Sequence, residues 1–209
     1  MTFSRTLKLL FAACALGAGA SASTVFNFDN DNLGTATGFT DTVDGLSATF
    51  SSAGDPGGFV VYSSFFDTLT GNVLGDPGPA GIDGLSLNVA FSGDLNAVTL
   101  DFATDDFGSP SPLTINAYQN AQLVGSVDAT GTVPANFDFP EGQITFQGAD
   151  FNSIVISSPA MDFAVDNIAA SVVATPEPAL FPLLAFGLVF IALVSIQSKN
   201  RRQRNTANQ

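Results

Sequence analysis

Apolar and polar residues alternate along the middle of this chain in short runs. In "LSLNVAF", Leu85, Leu87, Val89 and Phe91 fall on one face of an extended segment, and in "AVTLDFA" Val98, Leu100 and Phe102 do the same. "TVFNF", "LSATFS", "GFVVYSSF", "LTINAYQ", "LVGSV", "QITFQ", "NSIVIS" and "DNIAASVV" are further runs of this kind. Successive side chains of an extended backbone point to opposite faces, so period two over stretches this short predicts half-buried strands. Between them lie "GDPGG", "GDPGPAGIDG", "DDFGSPSP" and "FPEG", whose Gly, Pro and Asp residues turn the chain. No strong helical pattern interrupts the series. Ten such runs without helices predict an all-β domain over 23–173, with antiparallel strands packed as a jelly-roll-like β-sandwich. Fifteen of the 20 phenylalanines fall in this region and are read as the core between the sheets.

The two ends of the chain follow different patterns. At the start, Arg5 and Lys8 precede a short apolar core over 9–16, and Ala20-Ser21-Ala22 has the small-x-small form of a signal-peptidase site. This order predicts a signal peptide over 1–22, cut after Ala22, with signal peptidase as a partner. Its apolar core is too short to span a bilayer of about 30 Å. The single cysteine, Cys14, lies inside it, and the Phe-Ala-Ala before that cysteine lacks the aliphatic residue of a lipoprotein signal. The mature chain would therefore hold no disulfide and no thiolate. At the other end, 179–197 is free of charge. As a helix it would be about 28 Å long, enough to cross the inner membrane, with Pro182 tolerated in the first turn. Lys199, Arg201, Arg202 and Arg204 follow at once and are read as cytoplasmic retention residues, which places the domain outside. The last residues, 205–209, are expected to be a disordered end.

Charge sharpens this division. The six Lys and Arg of the chain lie only in its two end segments, and there is no His, so 23–198 holds no cationic side chain. Eighteen of the 19 carboxylates, 17 Asp and Glu141, precede residue 176. They repel one another over a Debye length of about 8 Å at physiological salt. Such a domain offers nothing to neutralise phosphates, so nucleic acid is excluded as a partner. Cations are its natural counterparts.

The same inventory removes most catalytic chemistry. A Ser-His-Asp triad, a Cys-His pair, a zinc site of His and Cys and a P-loop all need residues that the domain lacks. Paired carboxylates of the glycosidase kind remain, but so many carboxylates would yield such a pair by chance. No enzymatic activity is expected. Ca²⁺ suits the oxygen-rich composition better. "DNDNLG" begins like an EF-hand loop, yet Leu33 and Thr40 stand where ligands belong. "DFATDD" brings Asp101, Asp105 and Asp106 to a strand end, and "DFAVDNI" holds Asp162, Asp166 and Asn167. The first and last strands of a jelly roll are often neighbours, so Asp29 is expected to approach Asp166 and Asn167 as a candidate Ca²⁺ site. The plainer alternative is that these residues shape turns. Threonines in "TATGFTDT" form no repeating array of the kind an ice-binding surface needs.

Pro176-Glu177-Pro178 stands directly before the apolar stretch and its basic cluster. Two prolines hold the backbone extended, as a recognition strand should be. "TPEP", the span and "RRQR" together resemble the PEP-CTERM sorting signal of Gram-negative bacteria, over 174–204. The resemblance implies a substrate of an exosortase-type membrane enzyme, recognised through Pro176, Glu177 and Pro178, and an association with exopolysaccharide or biofilm matrix. Valine often precedes the motif in that class, and Thr175 departs from this. The expectation is an exported, surface-sorted structural or adhesive protein. The alternative is a Ca²⁺-dependent glycan-binding module on a single-pass membrane anchor.

Overall fold

The computed structural model describes residues 23–53, 55, 58–76, 85–105 and 110–173. The expected signal segment, the Pro-Glu-Pro motif, the apolar stretch and the basic tail lie outside the described residues. So do Ala20, Ala22 and the end 205–209. Among the described residues no helix is long and apolar enough to cross a membrane.

The described residues belong to one compact unit. Its strands are β1 (Ser23–Phe26), β2 (Phe39–Val43), β3 (Leu46–Ala53), β4 (Val60–Ser63), β5 (Asn72–Gly75), β6 (Ser86–Thr104), β7 (Pro112–Gln119), β8 (Gln122–Thr130), β9 (Glu141–Ser157) and β10 (Phe163–Val172). All their pairings are antiparallel. The all-β antiparallel expectation therefore holds, with a difference in how the strands are cut. "LSLNVAF" and "AVTLDFA" belong to the single strand β6, and "QITFQ" and "NSIVIS" to the single strand β9.

These two long strands pass through both layers of the sandwich. The first part of β6 pairs with β3 and with the end of β9, from Ser86↔Ser157 to Ala90↔Ser153. The later part pairs with β10 and with the beginning of β9, from Ala97↔Gln147 to Ala103↔Glu141. Register shifts between Ala90 and Ala97 mark the corner, where extra residues bend both strands from one layer to the other. One layer thus runs β2-β3-β6-β9-β7-β8. The other runs β9-β6-β10, with β1 and β5 sharing the far edge of β10 and β4 beyond β5.

The alternation places one continuous core between the layers. Phe50, Leu87, Val89, Ile115, Ile154 and Ile156 of the first layer face Val98, Leu100, Phe102, Ile144, Val165 and Ile168 of the second. Phe26 of β1 makes an edge contact with Phe50 of β3, ring centroids 6.4 Å apart, and so joins the layers directly. Two tight turns complete the local geometry. Asp44 and Gly45 both have positive φ and link β2 to β3, and Asn120 and Ala121 do the same between β7 and β8.

The reading of every domain phenylalanine as core needs correction. Phe26, Phe28, Phe50, Phe59, Phe102 and Phe151 are fully buried, but Phe65 is 57% exposed, and Phe66 and Phe139 are half-buried. These three lie on the outer side of the second layer.

Candidate functional site: an aromatic pocket rimmed by carboxylates

The second layer is covered on both faces near β5, β6 and β10. Leu74, Phe102 and Val165 point into the main core, whereas their neighbours Val73, Ala103 and Ala164 point outward and are still buried. What covers them is Tyr62 of β4 together with the segment between β4 and β5, through Leu69 and Phe66.

That segment is held by side chains distant in sequence. Glu141, at the start of β9 and 4% exposed, accepts hydrogen bonds from Asp67 N at 2.9 Å, Thr68 N at 2.6 Å and Thr68 Oγ1 at 2.6 Å. Ser64 Oγ donates to the Leu69 carbonyl and accepts from Phe66 N, which closes the turn on itself. Asp29 Oδ1 accepts from Asn72 N at 2.9 Å. The chain passes so close that a Cβ at Gly71 would stand 1.8 Å from Asp29 Oδ1, and Gly71 also has φ +79°, so only glycine fits.

Phe65 and Phe66 of this segment form an aromatic wall with Tyr62 of β4 and with Phe139, just before β9. Tyr62 and Phe65 stack with planes 23° apart and centroids 5.9 Å apart. Phe65 lies against Phe66 at 4.4 Å, and Phe139 meets Phe65 and Phe66 edge-on at 5.6 and 5.7 Å. Ala103 and Ala164 form a shallow floor because their side chains are small. The result is a cavity of about 340 Å³, within the usual size of small-ligand sites.

Its rim is acidic for a topological reason. Asp76 directly follows β5, Asp105 directly follows β6 and Asp162 directly precedes β10. Since β5, β10 and β6 are adjacent and antiparallel, these three strand ends meet. Backbone bonds Asp105 N to Asp162 O (2.9 Å) and Asp76 N to Phe163 O (3.3 Å) hold them side by side. The Tyr62 hydroxyl lies among them, close over Gly75. Burial pushes its pKa well up, and Asp162, Asp76 and Asp105 add to the shift because a phenolate would be repelled by them.

The residues expected to hold Ca²⁺ lie away from this pocket. Pairing of β1 with β10 brings the two ends of the domain together as anticipated, and Asp29 acts electrostatically on Asp166. Their polar atoms are turned to protein partners. Asp29 holds Asn72, Asp166 Oδ1 accepts from Asn167 N at 2.7 Å, and Asn167 Nδ2 donates to Asp101 Oδ2 at 3.1 Å. Asp101 Oδ1 also accepts from Gln143 Nε2. Among the described residues no group of three or more His, Cys, Asp or Glu is placed to hold a metal ion. Of the other acidic clusters, Asp105 and Asp162 meet at the pocket, and Asp106 lies outside the described residues.

The sequence held a signal for this pocket that periodicity alone passes over. Tyr62, Phe65 and Phe66 crowd into five residues at the end of β4 and just past it, and "FDFPEG" places Phe139 two residues before Glu141. Aromatics where a strand pattern has ended lack a layer to face.

No protein-family model matches the sequence, and no curated protein is similar to it. Among solved structures, the chain is similar to the K2 cleaved adhesin domain of Lys-gingipain, with 13% identity and a TM-score of 0.52 over 72% of this chain and 99% of that one. At that identity the likeness is one of fold. A family 6 carbohydrate-binding module (13% identity, TM-score 0.38, 59% of this chain and 87% of that one) is a slighter likeness. So is the family 11 carbohydrate-binding module of a Clostridium thermocellum cellulosomal cellulase (12%, 0.37, 77% and 100%).

Proposed function

We propose that this chain is an exported, surface-sorted adhesive protein whose sandwich domain binds glycan in the aromatic pocket. The observation that carries the binding part is the wall of Tyr62, Phe65 and Phe139, ordered by Glu141 and open to solvent at Phe65. Aromatic rings kept half in water are suited to stack on the apolar face of a sugar ring. The pocket binds without turnover in this reading. The likeness of fold to a cleaved adhesin domain is in keeping with it.

The sorting part rests on the sequence. A signal peptide, Pro176-Glu177-Pro178, an apolar span and a basic tail support export, retention at the inner membrane and transfer by an exosortase-type enzyme to the surface or the extracellular polysaccharide.

Each part has its own test. Full-length protein run through gels containing immobilised polysaccharides should be retarded by at least one of them. Phe65→Ala and Phe139→Ala should lose that retardation while their melting curves stay close to wild type. Free migration through every polysaccharide would overturn the binding reading. Intact mass of the protein from its native host should show an end near Pro176-Glu177-Pro178, and Glu177→Ala should keep its tail. A mature protein that retains Arg201 and Arg202 would replace sorting by permanent anchoring.

A further inference from the structure

Building on the glycan reading, we infer that the sugar this pocket takes is a hexosamine carrying a free ammonium group, as in a deacetylated amino-sugar polymer. Two independent features of the cavity converge on that chemistry. The first is the aromatic surface of Tyr62 and Phe65, stacked with each other and flanked by Phe139, which lines the cavity. The second is the group of Asp76, Asp105 and Asp162 in its lining, brought together by three adjacent strand ends.

A neutral sugar would use the aromatic surface and leave three carboxylates crowded around an uncharged guest. A metal ion would use the carboxylates and gain little from the aromatic surface. A hexosamine presents an apolar C–H face and a positive group on the same rigid ring, so one orientation satisfies both. Its ammonium is attracted by the carboxylates and by the negative faces of the rings. The rest of the domain reinforces the choice. Between residues 23 and 198 the chain has no Lys, Arg or His, so no side chain of that stretch brings positive charge to the cavity. The Tyr62 hydroxyl's pKa is pushed up chiefly by burial, and Asp162, Asp76 and Asp105 add to the shift.

N-acetylation removes the charge and keeps the ring, which makes the inference testable with matched probes. The full-length chain in mild detergent is titrated calorimetrically with a glucosamine oligomer and with the N-acetylglucosamine oligomer of equal length. The glucosamine oligomer should bind about tenfold tighter or more, a difference of about 1.4 kcal/mol, and its affinity should fall with added salt. Asp105→Asn with Asp162→Asn should bring it to the level of the acetylated oligomer. Phe65→Ala, at an exposed position outside the core, should weaken both and serves as the check if the Asn variant fails to fold. Equal affinity for the two oligomers, or no response to the Asn substitutions, overturns the inference and leaves the glycan reading intact. A lysine-rich peptide that binds as tightly as the glucosamine oligomer also overturns it, because the site would then read an ammonium group alone. Binding of neither oligomer, with retardation by some neutral polysaccharide, overturns the amino-sugar assignment only. Loss of all glycan binding removes both readings.

Discussion

Asp166 is 1% exposed on β10. Burial raises its pKa from 3.8 to about 6, the Asn167 N–H pulls it down, and the carboxylates of Asp29 and Asp101 push it up again. The native state therefore holds this proton more tightly than the unfolded chain. Its contribution to stability is fully present below about pH 4 and is lost as pH rises through about 6. Asp166→Asn keeps an acceptor for Asn167 N and removes the buried charge. It should leave stability unchanged below pH 4 and raise it by roughly 1–2 kcal/mol above pH 6. Melting curves of the two proteins across this range would show it, and parallel curves at every pH would refute it. Ala121 offers a second test on one residue. Its φ of +67° in the β7–β8 turn is costly for a side chain. Ala121→Gly should gain about 0.5–1 kcal/mol, measured by denaturant midpoint.

Elements here are positioned by single long-range bonds more than by their own propensities. The segment between β4 and β5 has no ladder of its own, and Glu141, more than 70 residues away, accepts three of its hydrogen bonds. Bonds to a buried carboxylate are among the stronger ones. Glu141→Ala should destabilise the domain by about 2–3 kcal/mol. It should speed amide exchange at Asp67 and Thr68 before other sites, and weaken glycan binding with them. Unaltered exchange there would mean that Leu69 and Phe66 hold the segment by packing alone. Edges are managed in a similar way. β4 has one flank paired with β5, while Gly34, Thr35 and Thr37 bond across to Phe59 and Val61 on the other, so that edge is closed.

At the level of the whole molecule the domain is an acidic shell around an aromatic core. Seventeen Asp and Glu141 stand without any Lys, Arg or His between 23 and 198. Their mutual repulsion opposes compaction and is screened by salt. Raising NaCl from about 10 mM to about 0.5 M, which shortens the Debye length from about 30 Å to a few ångströms, should therefore raise the melting temperature. A flat or falling curve would mean that these carboxylates lie too far apart to act on one another. The same charge attracts cations and repels anions at long range.

Fold class was legible in local pattern because alternation is a local property: whether Leu87 and Val89 share a face depends only on their spacing. Partnership was legible where both strands were. Asp29 does come near Asp166, since β1 lies beside β10. β2 and β5 escaped notice for opposite reasons. "FTDTV" is an edge strand of half-buried and exposed positions with little apolar contrast, and "NVLG" is buried on both faces and so does not alternate. The runs within β6 and within β9 read as separate strands because the bend between them interrupts the period. The pocket's aromatics left a trace in the sequence, but their assembly with the carboxylates belonged to the tertiary structure. Asp76, Asp105 and Asp162 lie far apart in sequence and meet only because β5, β10 and β6 are neighbours. Phe65 and Phe139 meet only because Glu141 draws one loop onto the strand that follows the other. Composition pointed only to the sign of charge that the domain would attract. Only the order of strands in the sheet could say where such a charge would sit.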